Sequence, residues 1–506
     1  MAAQVHVAFL WHMHQPWYLE PGSHHALLPW TRLRATKDYT DMALLLEQTQ
    51  APVTVNFAPS LVEQLRRYAS GQTWDAFTPS RATPQALEEI RTGRLSLPLA
   101  RRGFPLPNLE ALRSQASTPQ GERNLWGWFL LSWTAQAVLE ARSELHLSPG
   151  HSFTAQELAE LEELHGKILA EVVPRYRKLA QEGSIELSAT PFYHPILPLL
   201  LDSAVARRPH PEDTVPAFSA PEDAHVQVAQ ALAHHKAVFG KEPQGMWPAE
   251  GAVSPEAAAV FAQHGVLWIA TDGEILARTL GRSPAPEELH LPWKLSTSHG
   301  EITVLFRDTF LSNRISFDYH AWRPADAVAD FVERLKAVGA HWKAAQPPLV
   351  LIAMDGENAW DFYERNGRAF LLDLYHRVQD APGLCLTRIS DYLAQFGAQA
   401  SLPGLWSGSW ISADFRTWIG YPKQNQAWER LAAARAAVAS HPDPERRARA
   451  REHIYIAQGS DWFWWLSPYN TTPQAPLFDR LFRAHLAQTY RELGQNVPAL
   501  LQEPLA

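Results

Sequence analysis

The chain has 506 residues, with 45 Lys and Arg against 53 Asp and Glu and a formal net charge of −8. This length suits one large catalytic barrel with an appendage, or about two to three domains. Because no basic stripe stands out, nucleic acid and anionic membranes are poor candidates as partners.

The single cysteine, Cys385, excludes an internal disulfide framework and a multi-cysteine metal site. The first residues lack a basic n-region, and their apolar run is too short for a secretory signal. No stretch approaches about 18 uninterrupted apolar residues, the minimum for a membrane span. We therefore predict a cytoplasmic protein without a metal or other cofactor, and leave its oligomeric state open.

Residues 5–11 are apolar and predict a first strand, and His12, His14 and Gln15 follow where it ends. Two histidines at positions i and i+2 of extended backbone point to the same side. They could bind a metal ion, or hydrogen-bond sugar hydroxyls and a carboxylate. The alternative is a pair of packed turn histidines.

A helix is predicted up to about residue 50, and a second strand over 53–57. Residues 71–150 mix helix and loop without a strand pattern, so we interpret them as an insertion or lid region. A long helix over 155–181 and a third strand over 184–189 follow. The third strand leads to His194, which taken alone is more often structural than functional.

A helix over 220–239 precedes a short fourth strand over 244–247 and then Glu250. Ser254 and Pro255 are typical of a helix cap and a first helical position. Glu250 therefore lies in a strand-to-helix loop, where the common alternative is a solvated acid.

Strands five, six and seven are predicted over 266–271, 302–306 and 349–354. The seventh turns abruptly polar at Asp355, Glu357 and Asn358, with Trp360 and Tyr363 close behind. At the end of a barrel strand, this group forms a site for a polar, ring-shaped ligand. The alternative is a helix N-terminus with Asp355 as its cap.

Seven apolar strands that alternate with helices predict an α/β fold, a parallel (β/α)7 TIM-like barrel, over residues 1–399. An eighth short strand at 384–386 is left open. Helices predicted over 425–440, 442–465 and 476–493 form an α-helical C-terminal domain, residues 400–506. Its loops are rich in tryptophan, so we expect this domain to contribute to the active-site cleft.

The chain has 20 tryptophans, whose flat faces suit sugar stacking as well as core packing. Because large aromatic side chains lie in cores by default, we expect only about a quarter of them to touch a ligand.

Breaking a glycosidic bond requires one acid to protonate the leaving oxygen and one carboxylate across the anomeric carbon. Glu250 and Asp355 would face each other if strands four and seven end at the same mouth of the barrel. A separation of about 5–5.5 Å would make the second group a nucleophile with retention, and about 6.5–9.5 Å would leave room for water and inversion.

Five motifs occur in order: HMHQP at 12–16, ATPFYHPILPLL at 189–200, GMWPAEG at 245–251, MDGENAW at 354–360 and GSWI…WIG…N.AW within 408–428. Together they resemble the five signature regions of glycoside hydrolase family 57, a retaining family active on α-glucans. The resemblance implies an incomplete (β/α)7 barrel with a helical C-terminal domain. It also implies that Glu250 is the nucleophile and Asp355 the general acid/base.

On the same resemblance we assign substrate binding to a further set of residues, partly by motif and partly by their place in the C-terminal part. These are His12, His14, Gln15, His194, Trp247, Glu357, Trp360, Trp410, Trp418, Asp461 and Trp462.

Members of this family include α-amylases, amylopullulanases, 4-α-glucanotransferases, branching enzymes and α-galactosidases. The DGENAW form resembles the amylopullulanase-like hydrolases, so we predict hydrolysis of α-1,4 glucans and leave α-1,6 cleavage open. The chain departs from the family pattern at Gly251, where many members have Cys, and at residues 467–470.

Three alternatives remain at this point. The first is a 4-α-glucanotransferase or branching enzyme on the same scaffold. The second is a metal-dependent deacetylase or α-mannosidase-like enzyme that holds zinc at His12 and His14. The third is a glucan-binding protein without catalysis.

Overall fold

The protein is described here by a computed structural model that covers residues 3–99, 101–103 and 107–505. Seven parallel strands form a ring in chain order, and the last strand pairs with the first. The strands are β1 (Val5–Met13), β2 (Thr54–Phe57), β3 (Glu186–Ala189), β4 (Gly245–Met246), β5 (Trp268–Asp272), β6 (Gly300–Arg307) and β7 (Leu349–Asp355). The predicted (β/α)7 TIM-like barrel is confirmed.

The ring closes at a narrow point between β6 and β7. One residue pair, Leu351 and Arg307, joins the two strands, and the backbone N–H of Asp308 donates to the Leu351 carbonyl at 2.8 Å. The β6–β7 pairing is therefore much shorter than the β1–β7 pairing, which runs from His6 to His12 of β1.

β1 and β7 are buried on both faces, which explains their largely apolar sequences. Alternate residues such as Leu10 and Leu351 join a cluster inside the barrel with Trp268. The residues between them, such as Phe9 and Ile352, pack outward against the surrounding helices.

The short segment Leu384–Leu386 is a strand, but it is not an eighth member of the ring. It pairs in parallel with Val5–Val7 of β1, while β2 pairs with the same strand from Leu10 onward. β7 pairs with the opposite edge of β1. Leu384–Leu386 and β2 therefore pair with the same edge of β1, and Leu384–Leu386 lies nearer the start of that strand. Outside the ring, Trp293–Thr297 is antiparallel to β6.

The helices around the barrel lie largely where the sequence predicts them. Thr154 and Glu157 form a capping box at the start of the long helix, and the Ser254 side chain accepts from the backbone N–H of Ala257. The main helices are Thr40–Thr49, Pro59–Ala69, Ala155–Gln181, Pro221–Phe239, Pro255–Gln263, Gly273–Leu280, Pro324–Ala340, Arg368–Asp380 and Ile389–Phe396.

The expected insertion over 71–150 lies between β2 and β3 and is mainly helical. Its helices are Pro84–Thr92, Leu109–Gln115, Pro119–Ser132 and Gln136–Ala141. They share an apolar cluster around Trp126, Trp128 and Phe129, which also includes Leu158 and Leu161 of the long helix. Residues 100 and 104–106 of this region lie outside the described residues.

The C-terminal part holds the helices Pro422–Ser440, Pro444–Ala457, Ser460–Leu466 and Ala475–Glu492. The prediction of one helix over 442–465 is wrong, because the chain breaks at Gly459. Gly459 pairs with Pro195, and a Cβ on this glycine would lie 2.7 Å from the Tyr193 carbonyl oxygen. The break therefore anchors the C-terminal helices to the loop after β3.

Across the described ranges, no helix combines the length and the apolar character needed to cross a bilayer. The domain boundary at residue 400 stays a prediction, since one apolar cluster continues from barrel residues such as Ile196 to Phe478 of the last helix.

Candidate active site

A cavity of about 460 Å³ opens at the carboxyl ends of the barrel strands. This volume falls in the usual range of small-molecule sites, about 300–1,000 Å³. The lining residues are His12, His14, Gln15, Pro16, Tyr18, Trp30, Arg34, His194, Glu250, Asp355, Glu357, Asn358, Trp410, Asp461, Trp464, Trp465, Thr472, Gln474 and Phe478.

Glu250 follows β4 and has a left-handed backbone, with φ of 58°. Such a conformation is uncommon for a residue with a side chain and is typical of constrained functional sites. The carboxylate accepts a hydrogen bond from Trp410 Nε1 at Oε2, and its Oε1 lies 3.0 Å from Ser460 Oγ. Gly251 also has a positive φ, and a Cβ there would come within 3.3 Å of Trp247 and Trp410.

The surroundings of Glu250 favour its neutral form. Burial raises the pKa of Glu250 to about 7, and the negative charges of Asp355 and Asp461 add to the rise. His14 and the Trp410 hydrogen bond act in the opposite direction. Glu250 is therefore only partly ionised near neutral pH.

Asp355 ends β7, opposite His12 in the strand register. Asn358 Nδ2 donates to Asp355 Oδ2 at 3.1 Å. Burial raises the pKa of Asp355, although Asn358 and the positive charges of His14 and Arg307 oppose the rise. The alternative role of Asp355 as a helix cap is wrong, because the chain enters only a 3₁₀ turn over Asn358–Phe362 without a side-chain cap.

Three imidazoles stack at one side of the cavity. The ring centroids of His14 and His194 lie 3.8 Å apart, and those of His12 and His194 lie 5.1 Å apart. The two histidines of the first motif thus lie on the same side, as their spacing predicts. His194 also has a left-handed backbone, with φ of 59°.

The imidazoles differ in charge. Burial lowers the pKa of His12 to about 3, helped by the charge of His14, and burial lowers the pKa of His194 well below its usual value. Burial acts the same way on His14, but the negative charges of Asp461, Glu250 and Asp355 together outweigh it and raise the His14 pKa. Asp461 lies 2.9 Å from His14 Nε2. Of the three imidazoles, His14 beside Asp461 is therefore the one whose protonated form is favoured.

His14, His194 and Asp461 bring metal-ligand atoms within 4.8 Å of one another. Both ring nitrogens of His194 already have protein partners, His12 and Ser460, and His14 Nε2 is bonded to Asp461. A cation here would have to displace one of these partners. The arrangement fits a hydrogen-bonding cluster better than a free ligand set.

Glu357 is buried beside Asp355, and Gln15 Nε2 donates to its Oε1 at 3.1 Å. Its second oxygen is buried without a hydrogen-bond partner among the described residues. Burial raises the pKa of Glu357 well above its usual value, and Asp355 adds to the effect. The surroundings of Glu357 therefore favour its neutral form.

Four of the tryptophans assigned to substrate binding lie behind the cavity wall rather than in it, and their assignment stays a prediction. Trp247 is fully buried behind Trp410, edge to face at 5.2 Å. Trp360 donates to the Gly356 carbonyl and packs on Trp11. The other two, Trp418 and Trp462, lie in the apolar core of the C-terminal helices.

Helix Ser460–Leu466 explains which aromatic residues do line the wall. Asp461, Trp464 and Trp465 occupy positions i, i+3 and i+4 and face the cavity, while Trp462 and Phe463 face the core. Together with Trp30 and Trp410, four of the 20 tryptophans line the cavity. Helical periodicity within the WFWW run is the sequence signal that finds Trp464 and Trp465.

Two further residues at the site were not predicted. Arg34 lines the cavity, forms a two-bond ion pair with Asp361 and lies 5.9 Å from the Trp30 ring. Ser460 contacts Glu250 from the C-terminal helices. No motif marks either residue, because their partners lie more than 200 positions away.

Comparison with known proteins places this geometry in context. The sequence model of one family, glycosyl hydrolase family 57, matches residues 8–403. No curated protein matches the sequence significantly.

Among solved structures, a branching enzyme of Thermococcus kodakaraensis superposes with a TM-score of 0.65 at 14% identity, over 96% of this chain and 90% of that one. An α-amylase of Thermotoga maritima gives 0.61 at 12% identity, over 98% and 93%. A 4-α-glucanotransferase of Thermococcus litoralis gives 0.58 at 15% identity, over 97% and 60%. At these identities the likeness shows the fold.

Proposed function

Because the chain belongs to glycosyl hydrolase family 57, we propose that it is a retaining hydrolase of α-1,4 glucans with Glu250 as nucleophile and Asp355 as general acid/base. The observation that carries the proposal is the pair of partly buried carboxyl groups that line one cavity, Glu250 in the loop after β4 and Asp355 at the end of β7. Burial raises the pKa of Asp355, as expected for a general acid that must carry a proton before it can give one.

In the first step, the Glu250 carboxylate attacks the anomeric carbon while protonated Asp355 gives its proton to the leaving oxygen. The C–O bond to the leaving sugar breaks, and a glucosyl ester forms on Glu250. Trp410 Nε1, 3.0 Å from Oε2, holds the carboxylate in place for this attack.

In the second step, ionised Asp355 takes a proton from water, and the resulting hydroxide equivalent attacks the same carbon from the opposite face. The ester bond breaks, Glu250 leaves as a carboxylate, and Asp355 regains its proton. Two inversions give net retention of the α configuration.

The remaining wall residues support the binding of a sugar ring. The hydrogen-bonded pair His14 and Asp461 and the carboxyl group of Glu357 offer donors and acceptors to hydroxyl groups. Trp464 and Trp465 provide flat apolar faces on the side of the C-terminal helices.

Glucanosyl transfer is the second candidate function. The aromatic wall of Trp30, Trp464, Trp465 and Phe478 suits an acceptor sugar that competes with water for the ester. Two of the compared structures are a branching enzyme and a 4-α-glucanotransferase.

The cytoplasmic location also stays a prediction, which cell fractionation tests.

The test is an end-product assay on amylose, pullulan and maltoheptaose with wild type, Glu250→Gln and Asp355→Asn. Exposed Glu274, in the helix that follows β5, provides the matched control Glu274→Gln. We expect new reducing ends from wild type and the control, and none from the two active-site variants. Redistributed chain lengths without new reducing ends would instead identify a transferase.

Two further readouts separate the roles. Proton NMR of the first-formed product gives the α anomer if the reaction retains configuration. Azide should restore turnover to Glu250→Ala by taking the place of the missing carboxylate, and the product is then a β-glucosyl azide. Full activity in Glu250→Gln or Asp355→Asn would refute the assignment.

A further inference from the structure

A continuous chain of hydrogen bonds connects Glu250 to the barrel wall. Glu250 Oε1 lies 3.0 Å from Ser460 Oγ, which lies 2.8 Å from His194 Nδ1. His194 Nε2 lies 3.1 Å from His12 Nε2, and His12 Nδ1 lies 2.7 Å from Asn56 Oδ1. Ser460, His194, His12 and Asn56 are all buried, so water does not replace these bonds.

The position of each proton in this chain follows from Asn56. Its Nδ2 donates to the Ala189 carbonyl at 2.7 Å, so its Oδ1 faces His12 as an acceptor. His12 therefore carries a proton on Nδ1, and when neutral it offers a lone pair at Nε2. His194 must donate to that lone pair from its own Nε2, which leaves Nδ1 of a neutral ring without a proton.

Ser460 has a single hydroxyl proton for two neighbours. If Ser460 donates to His194 Nδ1, Glu250 can bond to the hydroxyl only when Oε1 carries a proton. If Glu250 is ionised, Ser460 must donate to it, and His194 then needs a proton on Nδ1. Two fully bonded states exist, and both contain the same number of protons.

We propose that Ser460 relays the proton of Glu250 to His194, so that Glu250 becomes a nucleophile without releasing that proton to solvent. The Oε1 proton passes to Ser460 Oγ while the hydroxyl proton of Ser460 passes to His194 Nδ1. No electron is transferred, and the neutral pair becomes a carboxylate and an imidazolium. The inference rests on the proposed function, because it takes Glu250 as the nucleophile.

The relay addresses a conflict at the site and carries an electrostatic cost of its own. Burial and the charge of His14 lower the pKa of His194, so the negative charge of ionised Glu250 must offset that cost. A nucleophilic carboxylate must be ionised, yet burial and the neighbouring acids raise the pKa of Glu250 to about 7. His194 Nδ1 is 3.9 Å from Oε1, close enough for an ion pair to form after the transfer.

The titratable groups that face this pair come from several elements. His12 and His14 come from the end of β1, Asp355 from β7 and Asp461 from the C-terminal helices. Trp410 donates to the carboxylate, and the Arg307 guanidinium lies 5.1 Å from the Trp410 ring.

The test is the pH dependence of kcat/KM on maltoheptaose for wild type, Ser460→Ala and Ser460→Thr. In Ser460→Ala, only enzyme whose Glu250 has lost its proton to solvent is active. We expect the acid limb of the kcat/KM profile to move up by about one pH unit. At pH values below the limb, kcat/KM should therefore fall roughly tenfold. Ser460→Thr keeps the hydroxyl, so its acid limb should stay at the wild-type pH. The hydrogen bond from the residue 460 backbone N–H to the His194 carbonyl is retained in both variants.

An equal loss of activity at every pH in Ser460→Ala would mean a structural role and would overturn the relay, while the proposed function stands. Inactivity of wild type on every α-glucan would instead refute the proposed function.

Histidine ¹⁵N NMR tests the relay without turnover. Near pH 7, the proposal predicts a larger imidazolium fraction at His194 in wild type than in Ser460→Ala. Equal fractions in the two proteins would overturn the relay, whatever the activity.

Discussion

Replacing Glu250 by Gln should stabilise the protein at alkaline pH while it abolishes the proposed chemistry. Gln is neutral at every pH, and its amide can reproduce the bonds of a protonated Glu250. Its oxygen accepts from Trp410 Nε1, and its NH₂ group donates to Ser460 Oγ, each across about 3.0 Å.

The magnitude follows from the Glu250 pKa, which burial raises from 4.5 to about 7. The shift is about 2.5 units, and at about 1.36 kcal/mol per unit it corresponds to about 3 kcal/mol. Between these two pH values the native state binds more protons than the unfolded state, so stability falls as pH rises. The penalty is absent below about pH 4.5 and fully present above about pH 7.

The assay is thermal unfolding of wild type and Glu250→Gln at about pH 4.5 and pH 8. With an unfolding entropy of about 2.1 cal/mol/K per residue, 506 residues give about 1 kcal/mol/K. The variant should therefore unfold about 3 °C above wild type at the higher pH, and at nearly the same temperature at the lower pH.

Glu288→Gln is the control, for which we expect a stability change of opposite sign at pH 8. Arg282 lowers the pKa of Glu288 to about 2, so its contribution is present above about pH 4.5 and is lost as pH falls towards 2. Removing that charge should lower stability at pH 8. If Glu250→Gln unfolds at or below the wild-type temperature at pH 8, the proposed penalty on ionised Glu250 is wrong.

Three shorter predictions concern the same site. Trp410→Phe removes the N–H donor to Glu250, so the acid limb of kcat/KM should rise by about one to two pH units; an unmoved limb would contradict this. Gly459→Ala places a Cβ 2.7 Å from a carbonyl oxygen and should lower stability by about 1–3 kcal/mol and displace Ser460. Gly166→Ala, in open space on a helix, should be neutral or stabilising in the same denaturation series. Dialysis against EDTA should leave glucan turnover unchanged, because both ring nitrogens of His194 and Nε2 of His14 already have protein partners. Loss of turnover that zinc restores would revive the metal hypothesis.

The barrel was predictable because its signals are local. Unbroken apolar runs such as that of β7 encode strands buried on both faces. Polar groups that follow such runs, as Asp355 does, must lie at the mouth of a parallel barrel. The same reasoning placed Glu250 and His194 near the cavity without any knowledge of tertiary contacts.

The parts that sequence could not supply depend on contacts between distant segments. Ser460 reaches Glu250 only because Gly459 breaks a helix that propensity alone would continue. Trp247 and Trp360 stand in motifs beside the proposed catalytic groups, yet strand and turn geometry directs them into the core. A motif identifies a neighbourhood, whereas side-chain direction is decided by packing.

The pairing of β1 with β7 also has a consequence for synthesis of the protein on the ribosome. His6 pairs with Leu349, a separation of 343 residues (349 − 6). At about 5–20 residues per second, synthesis of this interval takes about 17–70 s. Throughout that time one edge of a nine-residue apolar strand waits without its partner. Early nascent chains thus expose a template for aggregation, and a chain truncated before β7 would carry that exposed edge permanently.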